Sequence, residues 1–238
     1  MIRVVHEGLA SRADRAVSLL RDRDAAVTTT ETADLDATEF AADDRVLALG
    51  ERALIAVGRA GPASPVLPVG GLPTGPTLDE LDAAVDALLA PEPDVVRHPV
   101  LAVSGDRHRG RAVLDTTLVT SEPARISEYA ITTEGRPVDR VRADGVVVAT
   151  PLGSGGYASA VGGPVLGPDT GLAVVPISPF ETRRDCWVID GPVGLSVERD
   201  DSEVSVIVDD EDAGHVTPGE TLLVAVEDQF PVVRHGGL

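Results

Sequence analysis

Between Asp144 and Pro164 the chain reads Asp-Gly-Val-Val-Val-Ala-Thr-Pro-Leu-Gly-Ser-Gly-Gly-Tyr-Ala-Ser-Ala-Val-Gly-Gly-Pro. An apolar run, Val146 to Ala149, breaks at Thr150-Pro151 into a loop with few side chains, and a second glycine pair follows at Gly162-Gly163. Such a loop lets a ligand's phosphate or sugar approach backbone N–H groups closely. Gly153-Ser154-Gly155-Gly156-Tyr157-Ala158 also satisfies a relaxed dinucleotide fingerprint. That fingerprint belongs in the first strand–turn–helix of a βαβ unit, with an acidic residue about 20 positions onward. Ile177 and Ser178 stand near that distance instead, so a tight glycine turn outweighs a hydride-transfer site. A Walker-type phosphate loop is excluded, because it needs a lysine and the chain has none.

Other chemistries have less support. The five histidines (His6, His98, His108, His215, His235) are dispersed, with no spacing that suits a metal. The single cysteine rules out an internal disulfide. Cys186 lies between Asp185 and Trp187, and an acidic, packed setting is expected to make it a poor nucleophile. No serine sits in a Gly-x-Ser-x-Gly elbow followed by the expected acid and histidine.

The charge balance narrows the partners. There are 39 acidic residues against 20 basic ones, for a net charge of -19. All the basic residues are arginine, there is no asparagine, and Gln229 is the only glutamine. Scattered carboxylates without lysine suit molar salt, where charges are screened within about 3 Å. No basic stripe is available to neutralise phosphates, so nucleic acid is not an expected partner. No apolar run approaches the roughly 18 residues of a membrane span, and the first residues read as a strand rather than a signal peptide. The expected setting is a salt-rich cytoplasm, away from membranes.

The elements that must position the glycine loop change character along the chain. Ile2 to Val5, Val46 to Leu49 and Pro65 to Val69 read as strands, the last leading into Gly70-Gly71. Leu9 to Leu20 reads as a helix, and Leu54 to Gly58 as the start of another. Leu78 to Leu89 is the clearest helix, with Thr77 as N-cap and Leu78, Leu81, Val85, Leu88 and Leu89 on one face. Such alternation implies a parallel sheet flanked by helices. Pro91-Glu92-Pro93-Asp94 reads as a linker. Short strands follow: Val95 to Val103, Val113 to Thr120, Ile126 to Thr133, Val138 to Ala143, Gly171 to Val175, Leu195 to Val197, Val204 to Val208, Leu222 to Val226 and Val232-Val233. The expected architecture is an α/β N-terminal domain with a parallel sheet (1–92) and a C-terminal mostly-β, sandwich-like domain (93–238).

Asp144 to Pro164 resembles the signature of the NAD kinase family, a strand Asp-Gly-x-x-Val-x-Thr-Pro followed by Thr-Gly-Ser-Thr-Ala-Tyr and then Gly-Gly-Pro. The chain keeps Asp144, Gly145, Val148, Thr150, Pro151, Gly153, Ser154, Tyr157, Gly162, Gly163 and Pro164. Val174 to Pro179 is similar to the strand and turn that follow in the family, and Val208-Asp209 with Thr217-Pro218-Gly219-Glu220 to its last β-hairpins. The resemblance implies transfer of a phosphoryl group from ATP or polyphosphate to the 2′-hydroxyl of the NAD adenosine ribose, with Mg²⁺ or another divalent metal, in a homo-oligomer.

Two of the family's site motifs are altered. A Gly-Gly-Asp-Gly-Thr loop corresponds to Gly50-Glu51-Arg52-Ala53, so Glu51 takes the place of the base-like aspartate. An Asn-Glu pair that binds the NAD adenosine corresponds to Asp115-Thr116. Gly155 and Gly156 replace a threonine and an alanine. The resemblance therefore implies Glu51 as catalytic base. It implies Gly50, Asp115, Thr116, Asp144, Thr150, Gly153, Ser154, Gly155, Gly156 and Tyr157 as the NAD-binding set. Two readings stay open: an active NAD kinase with altered residues, or a non-catalytic relative that binds a nucleotide or pairs with a partner subunit.

Overall fold

The computed structural model describes residues 1–8, 10–35, 40–41, 43–122, 126–180, 185–199 and 203–235. The chain divides into two compact units, Met1–His98 with Asp228–Leu238, and Pro99–Glu227.

The first unit holds β1 (Ile2–His6), α1 (Ala10–Arg21), β2 (Val27–Glu31), β3 (Arg45–Leu49), α2 (Glu51–Ala60), β4 (Val66–Val69) and α3 (Leu81–Leu89). The expected helix start, Leu9, lies outside the described residues. The strands run parallel in the order β2-β1-β3-β4. Ile2, Val4, Leu47, Leu49, Leu67 and Val69 pack with Leu20, Leu81, Val85 and Leu88 of α1 and α3. The intervening Val5, Val46 and Ala48 are fully buried as well, and α2 lies against β1 and β3. A strand buried on both faces reads as a continuous apolar run rather than an alternating one. β2, Val-Thr-Thr-Thr-Glu, escaped the sequence reading because it is a half-exposed edge strand with one apolar residue. Helix α3 is entered through a 3-10 turn, where Thr77 and Glu80 form a capping box. Past its end, the Arg45 guanidinium donates to the carbonyls of Leu88, Ala90 and Pro91, so the expected linker begins as a tied-down segment.

The second unit is a two-sheet β structure. It takes in most of β5 (Val95–Ser104), then β6 (Arg109–Ala112), β7 (Asp115–Thr120), β8 (Ser127–Thr133), β9 (Arg136–Ala143) and β10 (Gly145–Ala149). A short helix α4 (Pro151–Gly153) follows. Then come β11 (Leu172–Ile177), β12 (Trp187–Ile189), β13 (Val193–Arg199), β14 (Val204–Val208), β15 (Glu211–Val216) and the first half of β16 (Thr221–Val233). One antiparallel sheet has the order β12-β11-β10-β7-β14-β15, and β16, β13, β8 and β9 pair in a second. Leu118, Val146, Val148, Val174 and Val206 of the first sheet share a core with Tyr129, Ile131, Leu195, Leu222 and Val224 of the second. Strands β6, β12 and β15 were not anticipated. β12 is only three residues long, and Glu-Asp-Ala-Gly-His-Val in β15 carries little apolar signal. The two short strands expected near the end form the single strand β16.

A buried polar cluster closes one end of this unit. The His108 ring sets Nδ1 3.0 Å from the Ala213 carbonyl and Nε2 3.0 Å from that of His215, with Glu220 Oε1 3.8 Å away. Burial alone would push the Glu220 carboxyl up. The Thr217 N–H, His108, the Thr217 hydroxyl and Arg107 outweigh it and hold the group below its ordinary value. A lowered native pKa stabilises the fold fully above the unfolded carboxylate range, about pH 4.3, and the gain is lost as pH falls through the native value. Urea unfolding in molar KCl is expected to find Glu220→Gln less stable than wild type near neutrality, with the gap closing as the medium is acidified. A gap constant with pH would contradict this role for the carboxylate.

Candidate functional site

The glycine loop grows out of the middle of the six-stranded sheet. β10 is buried on both faces: Val146 and Val148 point into the sandwich, while Val147 and Ala149 pack outward with Ala158, Leu166, Ala173 and Val175. The strand gives way to helix at Thr150-Pro151. Pro151 takes the first helical position, where its missing N–H costs nothing, and Thr150 is the N-cap, accepting the Gly153 N–H at 3.2 Å. The Thr150 hydroxyl donates to the carbonyls of Val113 and Leu114 at 2.8 and 2.9 Å, and its N–H also reaches Leu114 O at 2.8 Å. Gly153 is required by close approach, since a Cβ there would lie 2.1 Å from Leu114 O. A wider helical turn runs over Ser154–Ala158 and is kinked at Gly156, with φ -87° and ψ -122°.

The residues expected to bind NAD do not all gather here. Ala149 pairs with Asp115 across β10 and β7, so Asp115 stands beside the start of α4. Thr116 pairs with Val148 and with Val208, both in the sandwich core, and it is fully buried with no hydrogen-bond partner at Oγ1. Side chains alternate along a strand, so Thr116 faces the core while Asp115 takes the helix side. Asp144 lies at the opposite end of β10, six residues and about 20 Å from Thr150. There its carbonyl accepts the Thr120 N–H at 2.8 Å and its N–H donates to Ile177. Ser154 is fully buried, donating to Pro151 O at 2.7 Å and accepting the Leu166 N–H at 2.8 Å. It holds the loop in shape. Gly155, Gly156 and Tyr157 reach solvent, Tyr157 with 46% of its surface exposed.

Sequence reasoning gave no role to Asp209, whose carboxylate accepts the N–H groups of Val113, Leu114 and Asp115. The signals available were the resemblance of the Val208-Asp209 hairpin noted above and an Asp-Asp pair of common turn composition. Cys186 is exposed rather than packed. Partial burial and then Asp185 push its thiol up, so it is still a poor nucleophile.

In the first unit the order β2-β1-β3-β4 reverses between β1 and β3, and ligands of open α/β sheets favour the crevice at the carboxyl ends of such strands. Those ends are His6 and Leu49-Gly50. Gly50 caps α2 with φ 93°, so Glu51 and Arg52 occupy the exposed first turn. Arg52 Nη1 meets Glu7 Oε1 of the β1–α1 loop at 2.8 Å. Gly71, at φ 139°, packs so closely that a Cβ would lie 2.4 Å from Glu51 N. The altered loop is thus fixed by the glycine pair after β4.

The family model for the ATP-NAD kinase C-terminal domain matches residues 115–234, half of the chain. The chain belongs to the NAD kinase family. The NAD kinase of Methanospirillum hungatei is 28% identical over 146 residues, covering 60% of this chain and 54% of the relative. That of Gemmatimonas aurantiaca is 31% identical over 164 residues, covering 65% and 56%. The chain spans about half the length of the curated relatives it matches. An NAD kinase from Archaeoglobus fulgidus, solved in complex with ATP, superposes with a TM-score of 0.74 at 19% identity, over 99% of this chain and 94% of that one. Yeast NADH kinase complexed with NADH gives 0.76 at 15% identity, over 98% and 83%. At such identities the superpositions establish a common fold.

The close contact at Gly153 yields a sharp contrast. Gly153→Ala is expected to lower stability by about 1–3 kcal/mol through overpacking. Gly167→Ala, with nothing within 4 Å of its Cβ position and no positive φ, should stay within about 0.5 kcal/mol. Chemical unfolding of both variants in molar KCl checks it; equal effects would mean that Leu114 O does not press on the helix.

Proposed function

We propose that the chain transfers a phosphoryl group from ATP or polyphosphate to the 2′-hydroxyl of the adenosine ribose of NAD, giving NADP. The observation that carries this reading is the pairing of Asp115 with Ala149, directly before the Thr150–Tyr157 segment, within the stretch that the family model matches. ATP and NADH in the two solved relatives support a nucleotide ligand. Phosphoryl transfer asks a protein chiefly for alignment and charge stabilisation. Asp115 and the surface of Gly155, Gly156 and Tyr157 would hold the adenosine side of NAD. Glu51 would accept the hydroxyl proton as the oxygen attacks phosphorus and the donor's remaining phosphate departs.

Among the described residues, no group of three or more His, Cys, Asp or Glu is placed to hold a metal by itself. Mg²⁺ is commonly held by one or two carboxylates together with substrate phosphates. With Glu51 kept as proton acceptor, the ion would be held chiefly by the donor's phosphates and would supply charge neutralisation on them.

One observation favours the second reading, a nucleotide-binding relative without activity. Thr116 faces the core, so the second member of the altered Asn-Glu pair offers nothing to a ligand. Purified protein in molar KCl with Mg²⁺, NAD and either ATP or polyphosphate is expected to form NADP, and Glu51→Ala to lower the rate by on the order of 100-fold or more. No product above the Glu51→Ala background would refute catalysis. NAD binding measured by calorimetry would then separate a nucleotide-binding relative from a purely structural one.

A further inference from the structure

We infer that Asp209 is a positioning residue of the NAD site, acting through the turn at Val113–Asp115; the inference rests on the reaction proposed above. Asp209 follows β14 in left-handed backbone, φ 53°. Its carboxylate accepts the Val113 N–H at 3.1 and 3.0 Å, the Leu114 N–H at 2.7 Å and the Asp115 N–H at 3.2 Å. Its own N–H donates to the Asp115 carbonyl at 2.9 Å. One side chain therefore takes up three successive backbone donors, a concave arrangement of the kind that binds anions.

The carbonyls of the same turn hold the glycine helix. Val113 O and Leu114 O accept the Thr150 hydroxyl, Leu114 O also accepts the Thr150 N–H, and the Thr150 oxygen takes the Gly153 N–H. The connection runs from Asp209 through the turn to Thr150 and on to Gly153, after which Gly155, Gly156 and Tyr157 follow directly. Asp115, the other proposed NAD contact, hangs from the same turn. Without the carboxylate, three partly buried N–H groups lose a charged acceptor, and the turn can shift Asp115 and the helix start together. Asp209 acts on the ligand only through these neighbours.

Asp209→Gly removes the carboxylate and keeps the left-handed backbone. Asp209→Asn also tolerates that backbone and keeps one acceptor oxygen. Amide hydrogen exchange on the free protein in molar KCl is expected to speed up in Asp209→Gly at residues 113–115 and also at Gly153, which Asp209 does not touch. Calorimetry should find NAD affinity weakened on the order of 10- to 100-fold. KM for NAD should rise while KM for the phosphoryl donor and kcat at saturating NAD change little, and Asp209→Asn should recover most of the loss. The inference is overturned if exchange rises at 113–115 but not at Gly153, if Asp209→Asn falls as far as Asp209→Gly, or if Asp209→Gly binds NAD like wild type. Should Asp209→Gly not fold, an unchanged Gly153 rate in Asp209→Asn, with faster exchange at Val113, overturns it. Wild-type protein that neither binds NAD nor makes NADP refutes the proposed function, and the Gly153 exchange rate still decides the case of Asp209.

Discussion

A strand that passes straight into a helix leaves the first N–H groups of the helix without intrahelical acceptors, and this chain meets that demand with very few atoms. Proline at position 151 removes one donor, the Thr150 oxygen takes the Gly153 N–H, and the Leu114 carbonyl receives Thr150 from the neighbouring strand. The geometry is tight enough that Gly153 has no room for a methyl group beside Leu114 O. The wall of the candidate site therefore rests on the backbone of the turn before β7 and of the step from β10 into α4, and only then on side chains. Backbone carries this arrangement whatever the surface composition, which suits a protein whose exposed side chains are dominated by carboxylates.

The first unit solves a similar problem by other means. A phosphate-handling loop after a parallel strand needs backbone that can turn sharply into the next helix. Here Gly50 supplies one left-handed residue at the cap of α2 and Gly71 lies against the Glu51 amide. Arg52 stands in the first helical turn, paired with Glu7. An exposed pair of this kind contributes about 0–1 kcal/mol, so it stabilises little. Its consequence is electrostatic: in a chain with 39 acidic residues and no lysine, Arg52 offsets part of the negative charge that Glu7 and Glu51 bring to the strand switch point.

Much of the fold was legible because its strongest signals are local. β1, β3, β4, β10 and β11 are dense apolar runs, buried in the middle of sheets, and periodicity finds such segments. The strands that escaped are edges or short pieces: β2, β6, β12 and β15 owe their state to a neighbour rather than to their own composition. The site was legible in part for a related reason. Thr150, Gly153 and Tyr157 lie in one short stretch, and their spacing survives in one dimension. Which face Thr116 takes depends on pairing register. Register is fixed by partners about 30 and 90 residues away in sequence, which spacing does not reveal.

The altered Asn-Glu pair shows what register does to an inherited motif. Asp115 is half-buried beside the helix start, and its N–H and carbonyl are both tied to Asp209. An aspartate there accepts hydrogen bonds but donates none, so it suits the hydroxyl and amino groups of a nucleoside and repels phosphate. Thr116 contributes a methyl group to the sandwich and an unpaired hydroxyl at Oγ1, a cost of about 1–3 kcal/mol for the buried oxygen. A purely structural scaffold would gain by placing valine at that position, as β10 and β14 do at the paired sites Val148 and Val208. On the proposed reading, recognition by this strand falls to the face of Asp115, the residue whose N–H and carbonyl Asp209 holds.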